Sequence, residues 1–257
     1  QNGAYFVPTG SGDIHNARAL YYSWIKGVPQ RLYIKNLMNF SITNASKRTI
    51  PLMKDFSIDI DHLTSIAIAG NSGSGKSYLL TYLLSMLKGL SRLVIIDPKF
   101  DSPSRWARDN VIEVIHPSDN RSKSDFVSQV NEALSQALET INARQKILYE
   151  KPDYQFKHLT IAIDEVLALT EGVNKKIKDS FSSLISQIAL LGRATRVHLL
   201  LVSQRFDYNT IPISVREQVN VLIQVGNINQ KTTQFLFPDL NPDGIVIPIG
   251  KGTGLIP

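Results

Sequence analysis

Eight consecutive residues, Gly70, Asn71, Ser72, Gly73, Ser74, Gly75, Lys76 and Ser77, carry the spacing G-x-x-x-x-G-K-[ST] of a phosphate-binding loop. Glycines at these positions let successive backbone N–H groups turn inward around a polyphosphate, and the start of the following helix adds its positive dipole end. The lysine at 76 is placed to reach β- and γ-phosphates, and the hydroxyl of Ser77 to ligate Mg²⁺. An apolar run, Ser65–Ala69, leads in, and a helical pattern, Tyr78–Leu84, leads out. That strand–loop–helix context is the one a triphosphate site needs, so ATP with Mg²⁺ is the expected ligand.

Two acids end a second apolar run, Leu159-Thr160-Ile161-Ala162-Ile163-Asp164-Glu165. A nucleotide hydrolase needs a carboxylate at a strand tip to hold Mg²⁺ through its water shell, which suits Asp164. It also needs a base or orienting group for the attacking water, which suits Glu165. A third run, Val197–Val202, leads into Ser203-Gln204-Arg205. The amide of Gln204 both donates and accepts, as a sensor of the γ-phosphate or of the attacking water must. The competing assignment for Gln204 is a cap on the following turn.

These residues need rigid elements to hold them. Candidate strands fall at Ser65–Ala69, Arg92–Ile96, Val111–Ile115, Leu159–Ile163, Val197–Val202, Val221–Val225 and Ile245–Ile249. Helical patterns fall near Gly75–Lys88, Ser124–Tyr149, Lys175–Arg193, Ile213–Gln218 and Gln230–Phe237. Continuous apolar strands alternating with helices indicate an α/β fold, a mostly parallel sheet flanked by helices on both faces. The stripe Phe126, Val130, Leu134, Leu138, Ile141 recurs at helical spacing and is expected to pack into the core. Ahead of this lies a helical candidate, Ala17–Lys26, then strand-like pieces at Arg31–Ile34 and Phe56–Ile60 around a polar stretch, Thr43–Lys47. The expected organisation is therefore a small N-terminal appendage, residues 1–60, and a motor domain, residues 61–257.

Composition sets the outer limits. Apolar residues are 43% and charged residues 19% of 257, which is globular and large enough to bury a substantial core. There is no cysteine, so neither a disulfide framework nor a thiolate metal site exists. No apolar run approaches the ~18–20 residues of a membrane span. The first residue is Gln, which suggests a piece of a longer protein whose membrane anchor lies elsewhere. The net charge of +6 is concentrated early: residues 1–60 hold seven Lys/Arg against three Asp/Glu. A nucleic acid or anionic membrane is permitted as partner by this balance and not demanded.

The stretch Gly192-Arg193-Ala194-Thr195-Arg196-Val197-His198-Leu199-Leu200-Leu201-Val202-Ser203-Gln204-Arg205 resembles the G-R-A-x-G-[IV]-H-L-[IL]-L-A-[TS]-Q-R signature of FtsK/SpoIIIE-type DNA-translocating ATPases. Ile96-Asp97-Pro98-Lys99 resembles that family's I-D-P-K motif, and the motif order matches over roughly residues 60–255. Within the FtsK–HerA group, the single motor unit is most similar to the coupling ATPases of Gram-positive conjugative elements.

The resemblance implies a RecA-like P-loop NTPase fold, assembled as a homo-hexameric ring that moves double-stranded DNA through its centre by ATP hydrolysis. It implies that an arginine from the neighbouring subunit completes each site, and Arg193 matches the family position. Arg196 stands where the family has Gly, which leaves the choice between the two open, and Arg205 is a further candidate. Basic residues on the turn after the Asp-Glu strand would meet DNA, here Lys175, Lys176 and Lys178, with Arg121 and Lys123 as a second pair. Conjugation further implies relaxase and membrane-channel partners and a place at the inner face of the cell membrane. Alternatives within the resemblance are chromosome segregation and a type VII-like protein-secretion ATPase. A nucleotide-gated scaffold with little turnover is the alternative outside it.

Overall fold

The computed structural model describes residues 5–10, 12–13, 18–21, 31–206, 210–226, 228, 230–238, 240–241, 245, 247 and 250–256. The chain opens with a hairpin, β1 (Tyr5–Pro8) and β2 (Arg18–Tyr21), followed by α1 (Leu37–Ser46) and a second hairpin, β3 (Thr49–Met53) and β4 (Phe56–Asp59). The repeating core follows: β5 (Ser65–Ala69), α2 (Lys76–Leu87), β6 (Ser91–Ile96), α3 (Ser102–Asp109), β7 (Val114–Ile115), α4 (Lys123–Glu150) and β8 (His158–Ile163). Then come α5 (Val166–Thr170), α6 (Lys175–Thr195), β9 (Val197–Ser203), α7 (Ile213–Arg216), β10 (Val221–Val225), α8 (Gln230–Leu236) and β11 (Gly254–Leu255).

Seven strands form one sheet in the order β11-β10-β5-β9-β8-β6-β7. All its pairings are parallel except β10–β11. The strands are apolar throughout because both faces are covered, and period-two alternation sends neighbours to opposite sides. Ala67, Leu199, Leu201, Ile161 and Ile163 pack against α4 and α6 on one face. Ile66, Ile68, Leu200, Val202 and Ala162 pack against α2 on the other. The α4 stripe is core as expected: Phe126, Val130, Leu134 and Ile141 are buried and Leu138 is packed against them. A Ser122 capping box starts this 28-residue helix.

Several sequence expectations need correction. Arg18–Tyr21 is a strand, where a helix was expected from Ala17 to Lys26; the other residues of that span lie outside those described. Arg31–Ile34 forms no strand, and the polar stretch Thr43–Lys47 lies mostly in α1. Its Asn36 cap, which accepts from the Asn39 N–H at 2.9 Å, outweighs a composition that reads as a loop. Only Val114–Ile115 of the expected Val111–Ile115 strand pairs, because Val111 sits in a left-handed turn at φ 57°. Of Ile245–Ile249, only Ile245 and Ile247 are described, and neither is in a strand; the sheet edge is β11 instead. Helices α3 and α5 are additional.

The N-terminal pieces are tied to the sheet at the end where its strands begin. Ile50, Ile58 and Ile60 are buried in the same cluster as α2. Arg48 donates to Asp61 at 2.6 and 2.7 Å, and holds that carboxylate well below its ordinary range. Arg48 also approaches His158 Nε2 at 3.0 Å, His158 Nδ1 meets His198 Nε2 at 2.7 Å, and His198 Nδ1 meets the Thr64 carbonyl at 3.1 Å. Arginine can only donate, so donor counting runs one way along the chain and both rings are neutral. Burial pushes His198 down to about 4, consistent with that neutral state.

At the opposite end, Asp97 is fully buried and organises the turn after β6. It accepts from the N–H groups of Lys99 (3.0 Å), Asp101 (2.8 Å) and Ser104 (3.1 Å) and from the Ser104 hydroxyl (2.6 Å). Two measurable outcomes follow from these networks. Asp97→Ala strands buried donors and is expected to cost about 3 kcal/mol in urea unfolding. The neutral histidines make stability fall as pH drops from 6.5 toward 4, since the unfolded state takes up protons that folded His198 does not. His198→Gln is expected to flatten that part of the stability–pH curve.

Candidate nucleotide site

The loop between β5 and α2 is shaped by contacts that exclude a side chain. Gly73 and Gly75 have φ of 77° and 108°, and a Cβ on Gly75 would lie 2.6 Å from the Gly252 nitrogen. A Cβ on Gly70 would lie 2.4 Å from the Val225 carbonyl oxygen. The Gly252 N–H donates to the Ser74 carbonyl at 3.1 Å, so the segment after residue 250 backs the loop from outside. Lys76 is half-buried and folds over the loop, donating to the carbonyls of Gly70 (2.5 Å) and Asn71 (3.1 Å). Burial pushes its ammonium down, against the opposing pull of Glu165 and Asp164. Ser77 is exposed on the first turn of α2. A cavity of about 500 Å³ opens beside α2, lined in part by Leu79, Tyr82, Ile223, Thr253 and Leu255.

Parallel pairing brings the remaining residues to this end. β9 lies between β5 and β8, with Ala69 level with Ser203 and Ile163 level with Leu201. The loop, Asp164–Glu165 and Gln204 therefore emerge side by side. Asp164 is buried; desolvation and then the neighbouring Asp97 raise its carboxyl to about 6, while the Lys99 and Lys76 charges oppose the rise. Glu165 is also buried, with a left-handed φ of 55°. Its Oε2 pairs with Lys99 Nζ at 2.7 Å, and its Oε1 accepts from the Ser203 hydroxyl (3.3 Å) and the Gln204 N–H (3.2 Å). The Gln204 side chain itself is exposed.

Lys99 stands in the sequence only as the last residue of the Ile96–Lys99 motif, with no role assigned to it. The signal lay in the register: Ile96 pairs with Ile163, which sets Asp97 beside Asp164 and brings the residue two further on to Glu165.

The arginines divide between the two ends of the sheet. Arg193 is exposed in the last turn of α6, where β9 begins. The seven residues of β9 put it roughly 20 Å from the strand tips, out of reach of its own phosphate loop. Arg196 is committed elsewhere: it bonds the Phe156 carbonyl and Gln155 side chain and lies 3.0 Å from Asp61. Its φ of 57° is the left-handed helix cap that a glycine would fill at less cost. Arg205 is exposed at the strand tips. Lys175 and Lys176 are exposed and Lys178 half-buried where α6 begins, at the phosphate-loop end. Lys123 donates to the Glu171 carbonyl at 2.5 Å, which joins the Arg121–Lys123 segment to the same surface.

Hard oxygen donors, the exposed Ser77 hydroxyl and the buried Asp164 carboxylate, suit Mg²⁺. No trio of His, Cys, Asp or Glu able to hold a metal occurs among the described residues. Such an ion would need phosphate and water oxygens to complete its shell. The donor set fits a metal delivered with a nucleotide.

A family profile described as an AAA domain matches residues 60–209. The Ftsk domain-containing protein YdcQ of Bacillus subtilis is 24% identical over 212 residues, 80% of this chain and 43% of that protein. DNA translocase FtsK of Leptospira interrogans is 25% identical over 238 residues, 83% of this chain and 24% of that one. The chain thus spans less than half of either relative. Among solved structures, the pCW3 conjugation coupling protein TcpA, a monomer with ATPγS, superposes with TM-score 0.66 at 19% identity over 91% of this chain and 68% of that one. EssC (ATPases 2 and 3) of Geobacillus thermodenitrificans superposes with TM-score 0.60 at 16% identity over 80% and 39%. No described helix is long and apolar enough to cross a membrane. The chain belongs to the AAA-domain family of P-loop ATPases.

Proposed function

We propose that this ATPase is the motor of a hexameric ring that moves double-stranded DNA, acting as a coupling protein in conjugative transfer. The observation that supports it best is the convergence of the phosphate loop, Asp164–Glu165 and Gln204 on neighbouring strand tips. In this reading residues 1–60 are an appendage and residues 61–257 the motor. Backbone amides from Gly70 to Ser77 cradle the triphosphate, and Lys76 leaves the Gly70 and Asn71 carbonyls for the β- and γ-phosphates. The cavity beside α2 takes the nucleoside. Ser77 and Asp164 hold Mg²⁺, which when bound neutralises phosphate charge. Glu165 takes a proton from the attacking water, and Gln204 senses the γ-phosphate.

Arg193 lies too far to act on its own loop, which supports a role in the site of a neighbouring copy. Lys175, Lys176 and Lys178, with Arg121 and Lys123, face DNA phosphates without reading sequence. The B. subtilis and L. interrogans relatives carry FtsK in their names, and the structural relative TcpA is named as a conjugation coupling protein. Relaxase and channel partners, and a place at the inner face of the membrane, complete the reading. Likeness to a Type VII Secretion ATPase, EccC of Thermomonospora curvata (TM-score 0.54, 20% identity), keeps a protein cargo as the rival.

The test is ATPase rate against protein concentration, with duplex DNA or with candidate secreted peptides. Stimulation by DNA is expected; stimulation by peptides and not by DNA would favour the rival. Lys76→Ala is expected to abolish turnover, and Glu165→Gln to lower kcat by about 10²–10⁴-fold while ATP still binds. Metal uptake must displace a proton from Asp164, whose carboxyl titrates at about 6. Affinity for Mg-ATP is therefore expected to fall as pH drops below about 6 and to be flat above 7, measured by fluorescent-nucleotide titration.

A further inference from the structure

We propose that Arg31 closes over the nucleoside and stacks its guanidinium on the base, so that residues ahead of β5 form one wall of the nucleotide site. This rests on the reading of the cavity beside α2 as the place of the nucleoside. The two walls of that cavity come from different parts of the chain. Leu32 and Leu52 line it from the N-terminal side, and Leu79, Tyr82 and Ile223 line it from the sheet and α2. Tyr82 donates its hydroxyl to the Pro51 carbonyl, which fixes β3 on α2 and sets the two walls against each other. The cavity is thus a joint product of the N-terminal pieces and the core.

Arg31 is exposed and lines this cavity at its mouth. A glycine sets its position. A Cβ on Gly250, whose φ is 146°, would lie 3.0 Å from Arg31 Nη2, so the guanidinium rests on bare backbone. That backbone belongs to a turn tied to the phosphate loop. The Thr253 hydroxyl donates to the Gly250 carbonyl at 2.6 Å, and the Gly226 N–H donates to the Thr253 carbonyl at 2.7 Å. The Gly252 N–H reaches the Ser74 carbonyl at 3.1 Å. The turn that seats Arg31 is therefore the turn that backs the loop. Among the described residues the guanidinium forms no ion pair, which leaves its charge to a ligand.

The chemistry of the cavity selects what Arg31 meets. Its interior is largely aliphatic, and its two cations are Arg31 and Lys251. A ligand that is aromatic at one end and polyanionic at the other matches this division. The polyanionic end already has its donors in the loop amides and Lys76, so the part of a nucleotide that enters the cavity is the base. A guanidinium is planar and weakly hydrated, and it is drawn to the face of an aromatic ring. Aliphatic side chains then cover one face of the base and Arg31 the other. Arg31 also precedes α1, which packs on α2, so an occupied cavity joins the N-terminal pieces to the phosphate loop through the ligand itself.

The test is calorimetric titration of the parent chain, Arg31→Ala and Arg31→Lys with ATPγS and, separately, with inorganic tripolyphosphate, after thermal melts establish folding. Arg31→Ala is expected to weaken ATPγS about tenfold, the effect of losing a desolvated cation–π contact, and to leave tripolyphosphate unchanged. Arg31→Lys keeps the charge without the plane and should restore only part of the affinity. Equal losses for both ligands would make Arg31 a phosphate ligand and overturn the stacking, as would parent affinity for ATPγS in a folded Arg31→Ala. Amide exchange of the unmodified chain decides the matter if the variants do not fold. Residues 31–34 must then be protected by ATPγS and not by tripolyphosphate, and equal protection or none overturns the proposal. If Leu79→Trp, which fills the cavity, binds ATPγS like the parent, the reading of the cavity itself fails, which is a separate result.

Discussion

The site depends on one constraint: parallel strands in register must end together. β9 inserts between the phosphate-loop strand β5 and the acidic strand β8, and both pairings are parallel. The phosphate loop, Asp164–Glu165 and Gln204 then leave the sheet at one end, side by side. A slip of one residue in any pairing would swap the side chains between the two differently packed faces and move the acids away from the loop. Burial on both faces is what prevents the slip, since α4 and α6 cover one side and α2 with the β3–β4 hairpin the other. Catalytic geometry is thus a by-product of core packing.

The two ends of the sheet carry different electrostatics. Where strands begin, Arg48, Asp61, Arg196 and the His158–His198 pair form a closed network that satisfies buried polar groups and anchors the N-terminal pieces. Where strands end, compensation is deliberately incomplete. Asp97, Asp164 and Glu165 are buried close together, and Asp164 is left with its carboxyl raised to about 6. Lys76 satisfies itself on its own loop's carbonyls. A cation with polyphosphate would resolve both imbalances, giving Asp164 a positive partner and Lys76 a negative one. Functional sites commonly hold such perturbed groups.

Much of this was legible in the sequence because the motifs sit on strongly patterned elements. The strands β5, β6, β8, β9 and β10 and the helices α2, α4 and α6 are written in long apolar runs or helical stripes, so Lys76 could be placed at a helix start and Asp164 and Gln204 just past strand tips at once. What escaped depends on tertiary context. α3 begins in the polar run after Pro98, and its start is organised by a single buried carboxylate, Asp97. The helix at 37–46 is anchored by Asn36 and packs on α2, neither of which periodicity reveals. Lys99 was visible as a motif residue, but its partner became evident only once β6 and β8 were paired. The commitment of Arg196 to the fold, through its left-handed cap and its Asp61 contact, was likewise invisible in the sequence, as was the exposure of Arg193.

The most direct measurement is the anomalous-scattering position of Mn²⁺ in crystals grown with a slowly hydrolysed ATP analogue. The expected peak lies at the start of α2, ligated by the Ser77 hydroxyl and by phosphate oxygens, with Asp164 reaching it directly or through a bound water. A metal–nucleotide complex seated away from Ser77 and Asp164, with Lys76 still folded onto Gly70 and Asn71, would contradict the assignment of this sheet end as the hydrolytic centre.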